Sequence, residues 1–459
     1  GRDGKAFGYF HGMFDGIGAM MAKKPLIVGT FALTPETRID RFETKAGFVM
    51  SADYHALTPP QDAATGAKPA AVVNLSAQMK RDGTLDWQAP KLPKGQQWRV
   101  VRMGWSLLGT TNHPAPPEAT GLEVDKYDGQ AVRAYLEHYL GMYKDAAGAE
   151  LVGSHGVRAL LTDSIEVGEA NWTPRMLNQF QRLRGYDARP WLPALTGALI
   201  GSRADTDRFL YDYRRTLADL LASEHYGMIA KVAHENGLIV YGEALEDRRP
   251  MLGDDMAMRA HADVPMAALW TFDRKEGPRH TLIADMKGAA SVAHLYGQNL
   301  VAAESMTAAL APWAFAPKDL KRFIDLEFVS GVNRPIIHTS VHVPVEDKKP
   351  GLSLFIFGQY FNRNESWAPL AKPWVDYIAR SSLLLQKGRN VADLAYFYGE
   401  EAPLTGLYAD QPVADAPTAN AYDFVNFGAL TELLGNDGSD VVSPAGARYK
   451  AIYLGGTSR

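Results

Sequence analysis

Val264-Pro265-Met266-Ala267-Ala268-Leu269, an unbroken apolar run of strand length, is followed by helix-spaced apolar residues over 281–295. A second apolar run, Leu300-Val301-Ala302-Ala303, then ends in Glu304-Ser305. Runs without polar alternation suit strands covered on both faces, and two such strands joined through a helix lie parallel. Working outward, the same rhythm repeats. Strand-like 157–161, helices over about 174–184 and 206–236, and strand-like 238–241 come before this unit. A helix over 317–330, strand-like 335–338 and a helix over 374–386 come after it. These βα units predict an α/β fold: a (β/α)8 TIM-barrel-like catalytic domain over residues 111–390, complete or short of some strands.

The flanks differ in character. Residues 1–110 predict a β-rich module, with strand-like 25–28, 71–75 and 97–105 separated by Gly83-Thr84 and Pro90-Lys91-Leu92-Pro93. Residues 128–144 are amphipathic, and Asp128 is placed to cap that helix. Residues 391–459 restart the α/β rhythm as the opening of a further α/β domain, with a strand over 392–397, a helix near 426–434 and a last strand over 451–454. That last strand is expected to lack a partner. With a Gly1-Arg2 start, the expectation is an internal piece of a longer periplasmic or secreted enzyme whose signal peptide lies outside the chain.

Composition narrows the functions. Forty-eight Lys and Arg against 52 Asp and Glu give a net charge of −4, which argues against a broad nucleic-acid-binding surface. The absence of Cys excludes disulfide scaffolds, cysteine nucleophiles and thiolate metal sites. No apolar run is long enough to predict a membrane span.

In a barrel, the residues just after each strand face the active site. That rule selects Asp163-Ser164-Ile165-Glu166, Gly242-Glu243, Trp270, Glu304-Ser305 and His338-Thr339. A carboxylate there is expensive unless solvated, paired or used, and the alternative to a catalytic role is salt-bridging at a barrel rim. Two such carboxylates are the minimal equipment of a glycosidase. Trp172, Trp270 and Trp313 follow strand ends, and Trp172 and Trp270 are expected to supply an apolar platform for a sugar face. Asp163 is expected to contact a sugar hydroxyl or orient the site, and Asn333 and His338 to hydrogen-bond ring hydroxyls, the alternative for His338 being a backbone-satisfied side chain. Asp254-Asp255 reads as a solvated loop, with a hard-cation site as the alternative. Ser164 and Ser305 have no His-acid partners in view.

The motifs Leu161-Thr162-Asp163-Ser164-Ile165-Glu166-Val167-Gly168, Asn171-Trp172-Thr173-Pro174 and Arg184-Gly185-Tyr186-Asp187 resemble glycoside hydrolase family 106, the α-L-rhamnosidases. Thr120 to Lys126, Ala262 to Met266, Val301-Ala302-Ala303-Glu304-Ser305 and Gly331-Val332-Asn333-Arg334 continue the likeness in collinear order over roughly 95–455. The resemblance implies inverting hydrolysis of terminal α-L-rhamnosyl residues, with Glu166 as acid and Glu304 as base. It also implies a calcium ion near the sugar hydroxyls, for which Asp163 and Glu243 are the candidate ligands, and no organic cofactor. One departure stands out: many relatives read Met-Gly-Glu-Phe-Trp where this chain has Met266-Ala267-Ala268-Leu269-Trp270, so an acid is missing at 268. Two rivals stay open: a barrel glycosidase for another sugar (a fucoside, galactoside or uronic acid), and a non-catalytic carbohydrate-binding protein.

Overall fold

The computed structural model describes residues 11–12, 27–32, 39, 42–47, 65–112, 115–166, 170–245, 253–311, 313–354, 356–359, 361–399, 417 and 419–455. The β-rich lead-in contains an antiparallel sheet. Its central strand β1 (Ile27–Ala32) pairs along its length with β3 (Trp98–Met103) and briefly with β2 (Val73–Asn74). The predicted strand over 25–28 therefore sits a little late, and residues 25 and 26 lie outside the described residues.

The centre of the molecule is a curled sheet of five parallel strands: β4 (Ala159–Thr162), β5 (Ile239–Gly242), β6 (Val264–Trp270), β7 (Ala302–Thr307) and β8 (Arg334–Ile337). Their spatial order equals their chain order. Closure into eight strands is not seen: among the described residues, β4 and β8 are the sheet's two edges. Helices α1 (Gly129–Ala147), α2 (Met176–Arg184), α3 (Arg203–Leu220), α4 (Gly227–Glu235), α5 (Asp255–Arg259), α6 (His280–Tyr296), α7 (Pro317–Val329) and α8 (Lys372–Leu385) accompany it. Asp128 caps α1 as predicted, accepting the Gln130 N–H. The single helix expected over 206–236 is instead α3 and α4 joined by a π-helical turn, Leu221–Tyr226.

Alternation along the strands sorts residues into two layers. Val264, Met266 and Ala302 pack together on the concave face with Tyr241 and Ile336. Ala267, Leu269, Val301 and Ala303 belong to the opposite layer, against Leu282 and Met286 of α6 and Leu320 and Phe323 of α7. The small side chains of Ala267, Ala289, Ala290 and Ala293, all buried, let α6 lie close to the sheet.

The C-terminal region forms a second parallel sheet, with β9 (Leu394–Phe397) between β10 (Tyr422–Val425) and β11 (Ala451–Leu454). The last strand thus has a partner after all, and Tyr453 lies 5.3 Å from Tyr396, ring to ring. This sheet docks on α6: the Ser291 hydroxyl accepts the Phe424 N–H at 2.8 Å, and His294 meets Asp423 at 2.8 Å. Asp254-Asp255 is not a solvated loop. Asp254 caps α5 and takes two hydrogen bonds from Asn426, while Asp255 lies fully buried 3.3 Å from Arg259. Helix packing drew both carboxylates inside.

Asp125, just ahead of α1, ties that helix to the segment before α2. It accepts the Tyr127 N–H at 2.9 Å and the Thr173 hydroxyl at 2.8 Å. Burial pushes its carboxyl up to about 7 against these bonds. The folded chain therefore keeps this proton to higher pH than the unfolded chain, which releases it near pH 4. The group's stabilising contribution is complete below that value and is lost as pH rises through about 7. Asp125→Asn, which can keep both hydrogen bonds, is expected to gain stability over the parent between pH 4 and 8 in urea unfolding. Parallel pH profiles for the two proteins would refute this assignment.

Candidate active site

Parallel strands in register end level, so the residues that follow them share one space. Thr162 is level with Gly242, which places Asp163 beside Glu243, and Ala268, Glu304 and Ile336 stand in one row across β6, β7 and β8. Carboxylate oxygens of Asp163, Glu243 and Glu304 all lie within 4.8 Å of one another. Glu243 is 4% exposed, Glu304 is half-buried and Asp163 reaches solvent, so the cluster runs from the strand floor to its mouth. At about 5 Å and an effective dielectric near 20, two like charges repel by about 3 kcal/mol. A bound cation or a retained proton relieves such repulsion.

Two neighbours face Glu304. The Thr307 hydroxyl donates to its Oε1, and His338 Nδ1 stands 3.9 Å from the same oxygen. Burial lowers the His338 pKa, opposed by Asp163, which favours the neutral ring. Its buried Nδ1 makes no hydrogen bond to the protein.

Glu166 sits on the loop after β4, three residues beyond Asp163. The loop is pinned by buried Ile165, whose N–H reaches the Ala244 carbonyl at 3.3 Å, and by the Ser164 N–H on Asp163 at 2.8 Å. The Ser164 hydroxyl donates to Glu166 at 3.2 Å, which explains that serine without any nucleophilic role. Glu166 is exposed and, with Asp163, opens on a groove of about 600 Å³ walled by Lys126, Tyr135, Tyr139 and Leu161. Val167 and Gly168 of the same motif lie outside the described residues.

The remaining predicted residues separate. Trp270 ends β6, packs edge-on against Phe357 at 5.9 Å and rests against the outer cluster that holds Leu269 and Phe323. Trp172 does not form a platform: it is fully buried in a core cluster with Met176, Phe180 and Tyr213, where no sugar can reach it. Asn333 lies at the opposite mouth of the sheet, because it precedes β8 and does not follow it. Its side chain accepts the Val301 N–H at 3.0 Å and donates to the Asn299 carbonyl at 3.0 Å. Ala268 is buried beside Glu304, and its N–H bonds Asp285 at 2.9 Å. Ser305 points away from the site to Glu327 on α7, at 2.8 Å. Thr307 was not singled out in the sequence, and no strand-end pattern marks it.

An acidic row at the C-terminal ends of parallel strands, with a fourth carboxylate on the adjoining loop, supplies the paired carboxylates that glycoside hydrolysis uses. The chain matches the family model described as alpha-L-rhamnosidase, glycoside hydrolase family 106, over residues 18–459, and belongs to that family. It is similar to a solved rhamnosidase from Novosphingobium sp. PP1Y, at 81% identity and a TM-score of 0.87, covering 91% of this chain and 40% of that one. It is also 37% identical over 385 residues to a Formosa agariphila protein carrying the name "Putative beta-glucuronidase", covering 83% of this chain and 31% of that protein. The chain thus spans well under half the length of either relative.

The placement of Asn333 has a direct consequence. Asn333→Ala is expected to cost about 1–3 kcal/mol of stability by orphaning the Val301 N–H, and to leave KM for a glycoside unchanged. A raised KM without loss of stability would return Asn333 to the sugar site.

Proposed function

We propose that this protein hydrolyses terminal α-L-rhamnosyl residues with inversion at the anomeric carbon. The observation that carries the reading is the convergence of Glu304 with Asp163 and Glu243 at the strand ends, within the chain's membership of family 106. Glu166 gives its proton to the glycosidic oxygen as the bond to C1 breaks. Glu304 takes a proton from the water whose oxygen attacks C1 from the other face. Trp270 offers an apolar surface to the C5 methyl group, and neutral His338 directs Nδ1 toward a hydroxyl. On this reading the five-strand sheet is part of a (β/α)8 barrel, which its parallel, sequential order supports.

The donor set also fits calcium, a hard cation that takes oxygen ligands. Asp163 and Glu243 would hold it. When bound, it would supply positive charge to anchor the sugar's hydroxyl groups. Missing acid at 268 does not empty the set, since Glu243 and Asp163 remain. The name of the Formosa agariphila relative raises a second substrate, a β-glucuronide. Membership of family 106 favours the rhamnoside over it.

Turnover of nitrophenyl α-L-rhamnoside, and little of the β-D-glucuronide or of fucosides and galactosides, is expected. NMR should show the β-anomer of rhamnose forming first, and Glu166→Gln or Glu304→Gln should each lower kcat by about 100-fold or more. Activity on another glycoside with none on the rhamnoside would overturn the substrate, and an α-anomer would overturn inversion. For the ion, calorimetric titration of chelator-treated protein with calcium is expected to give binding that Glu243→Gln weakens at least tenfold. No heat with the parent would remove calcium from the account.

A further inference from the structure

The strand that carries Glu304 contains an irregularity. β6 and β7 run in register from Met266 opposite Ala302 to Leu269 opposite Ser305, and then Trp270 pairs with Thr307. Met306 is the extra residue, and its φ of 67° lies in the left-handed region, which costs a non-glycine residue free energy. The result is a β-bulge. Met306 is fully buried in the outer layer with Ala267, Leu269 and Phe323, directly after Ser305, which also points outward to Glu327. Two consecutive outward residues break the period of two.

This break decides where Thr307 points. In a regular strand, residues 304 and 307 face opposite sides, and Thr307 would be directed at α7. The bulge reverses its face, and its hydroxyl donates to Glu304 Oε1. The distorted turn is held from outside: buried Gln359 donates to the Met306 carbonyl at 2.9 Å, and the Thr271 N–H bonds the Thr307 carbonyl at 2.7 Å. We propose that Thr307 is a positioning residue for Glu304, delivered to the carboxylate by the β-bulge at Met306, and that this is why strain is retained there. Its hydroxyl fixes one oxygen of Glu304 and so sets the direction of the other. The proposal rests on Glu304 being the base.

Thr307→Val keeps the shape and removes the donor, whereas Thr307→Ser keeps the donor. Steady-state kinetics on an aryl rhamnoside should show kcat lowered about 10–100-fold in Thr307→Val, with KM changed less than about twofold. Thr307→Ser should stay within about threefold of the parent. In a Glu304→Ala background, Thr307→Val should cause no further loss, because its effect passes through that carboxylate. Gln359→Met, which frees the Met306 carbonyl, should lower kcat in the same direction and serves if Thr307→Val does not fold. Parent-like kcat in Thr307→Val, equal losses in the Val and Ser variants, or an additive double variant would overturn the proposal. Should Glu304→Ala itself remain active, the base assignment fails instead, so the two failures are told apart.

Discussion

Level strand ends are the constraint on which the rest depends. Five parallel strands hydrogen-bonded in register place position after position side by side, so three acidic residues far apart in the chain become neighbours. Their mutual repulsion is part of the same geometry. Whatever part of it a cation or a proton does not relieve, the other contacts that hold the strands must resist. The cluster is therefore a local cost, borne by the surrounding core.

Those contacts lie mostly behind the sheet. Alanines on β6, β7 and α6 allow close approach, while Leu269, Met286, Leu320 and Phe323 fill the outer layer. Buried Arg259 of α5 joins Asp285 of α6, donating to its side chain and, at 2.9 Å, to its carbonyl, and Asp285 in turn holds the Ala268 N–H. The residue level with Glu304 is thus anchored through a charged pair isolated from solvent. Removing one partner of such a pair leaves an uncompensated charge, so its members act as a unit. The C-terminal sheet extends this support by gripping the far side of α6 at Ser291 and His294.

Much of this was legible in the chain. Short, mostly apolar runs mark all five strands, and the barrel rule applied to them singles out Asp163, Glu243 and Glu304. Asn333 shows the rule's other edge. The residue was expected to meet the sugar, but it stands before its strand, and the structure places it at the opposite mouth. Trp172 could not be sorted in this way. A tryptophan after a strand looks alike whether it faces a sugar or a core, and its partners Phe180 and Tyr213 come from two later helices. Asp254 and Asp255 misled for the same reason: their partners Asn426 and Arg259 are supplied by packing.

By itself, then, the sequence determined the strand and helix order, the parallel sheet and the carboxylates at its ends, because periodicity and strand-end position are local properties of a chain. Tertiary structure alone decided that Trp172 turns inward, that the last strand finds a partner in β9 and that Thr307 faces Glu304. Each of these depends on which distant residues meet. A one-residue bulge leaves no mark in hydrophobic pattern when, as at Met306, the extra residue is itself apolar and finds a place in the outer core.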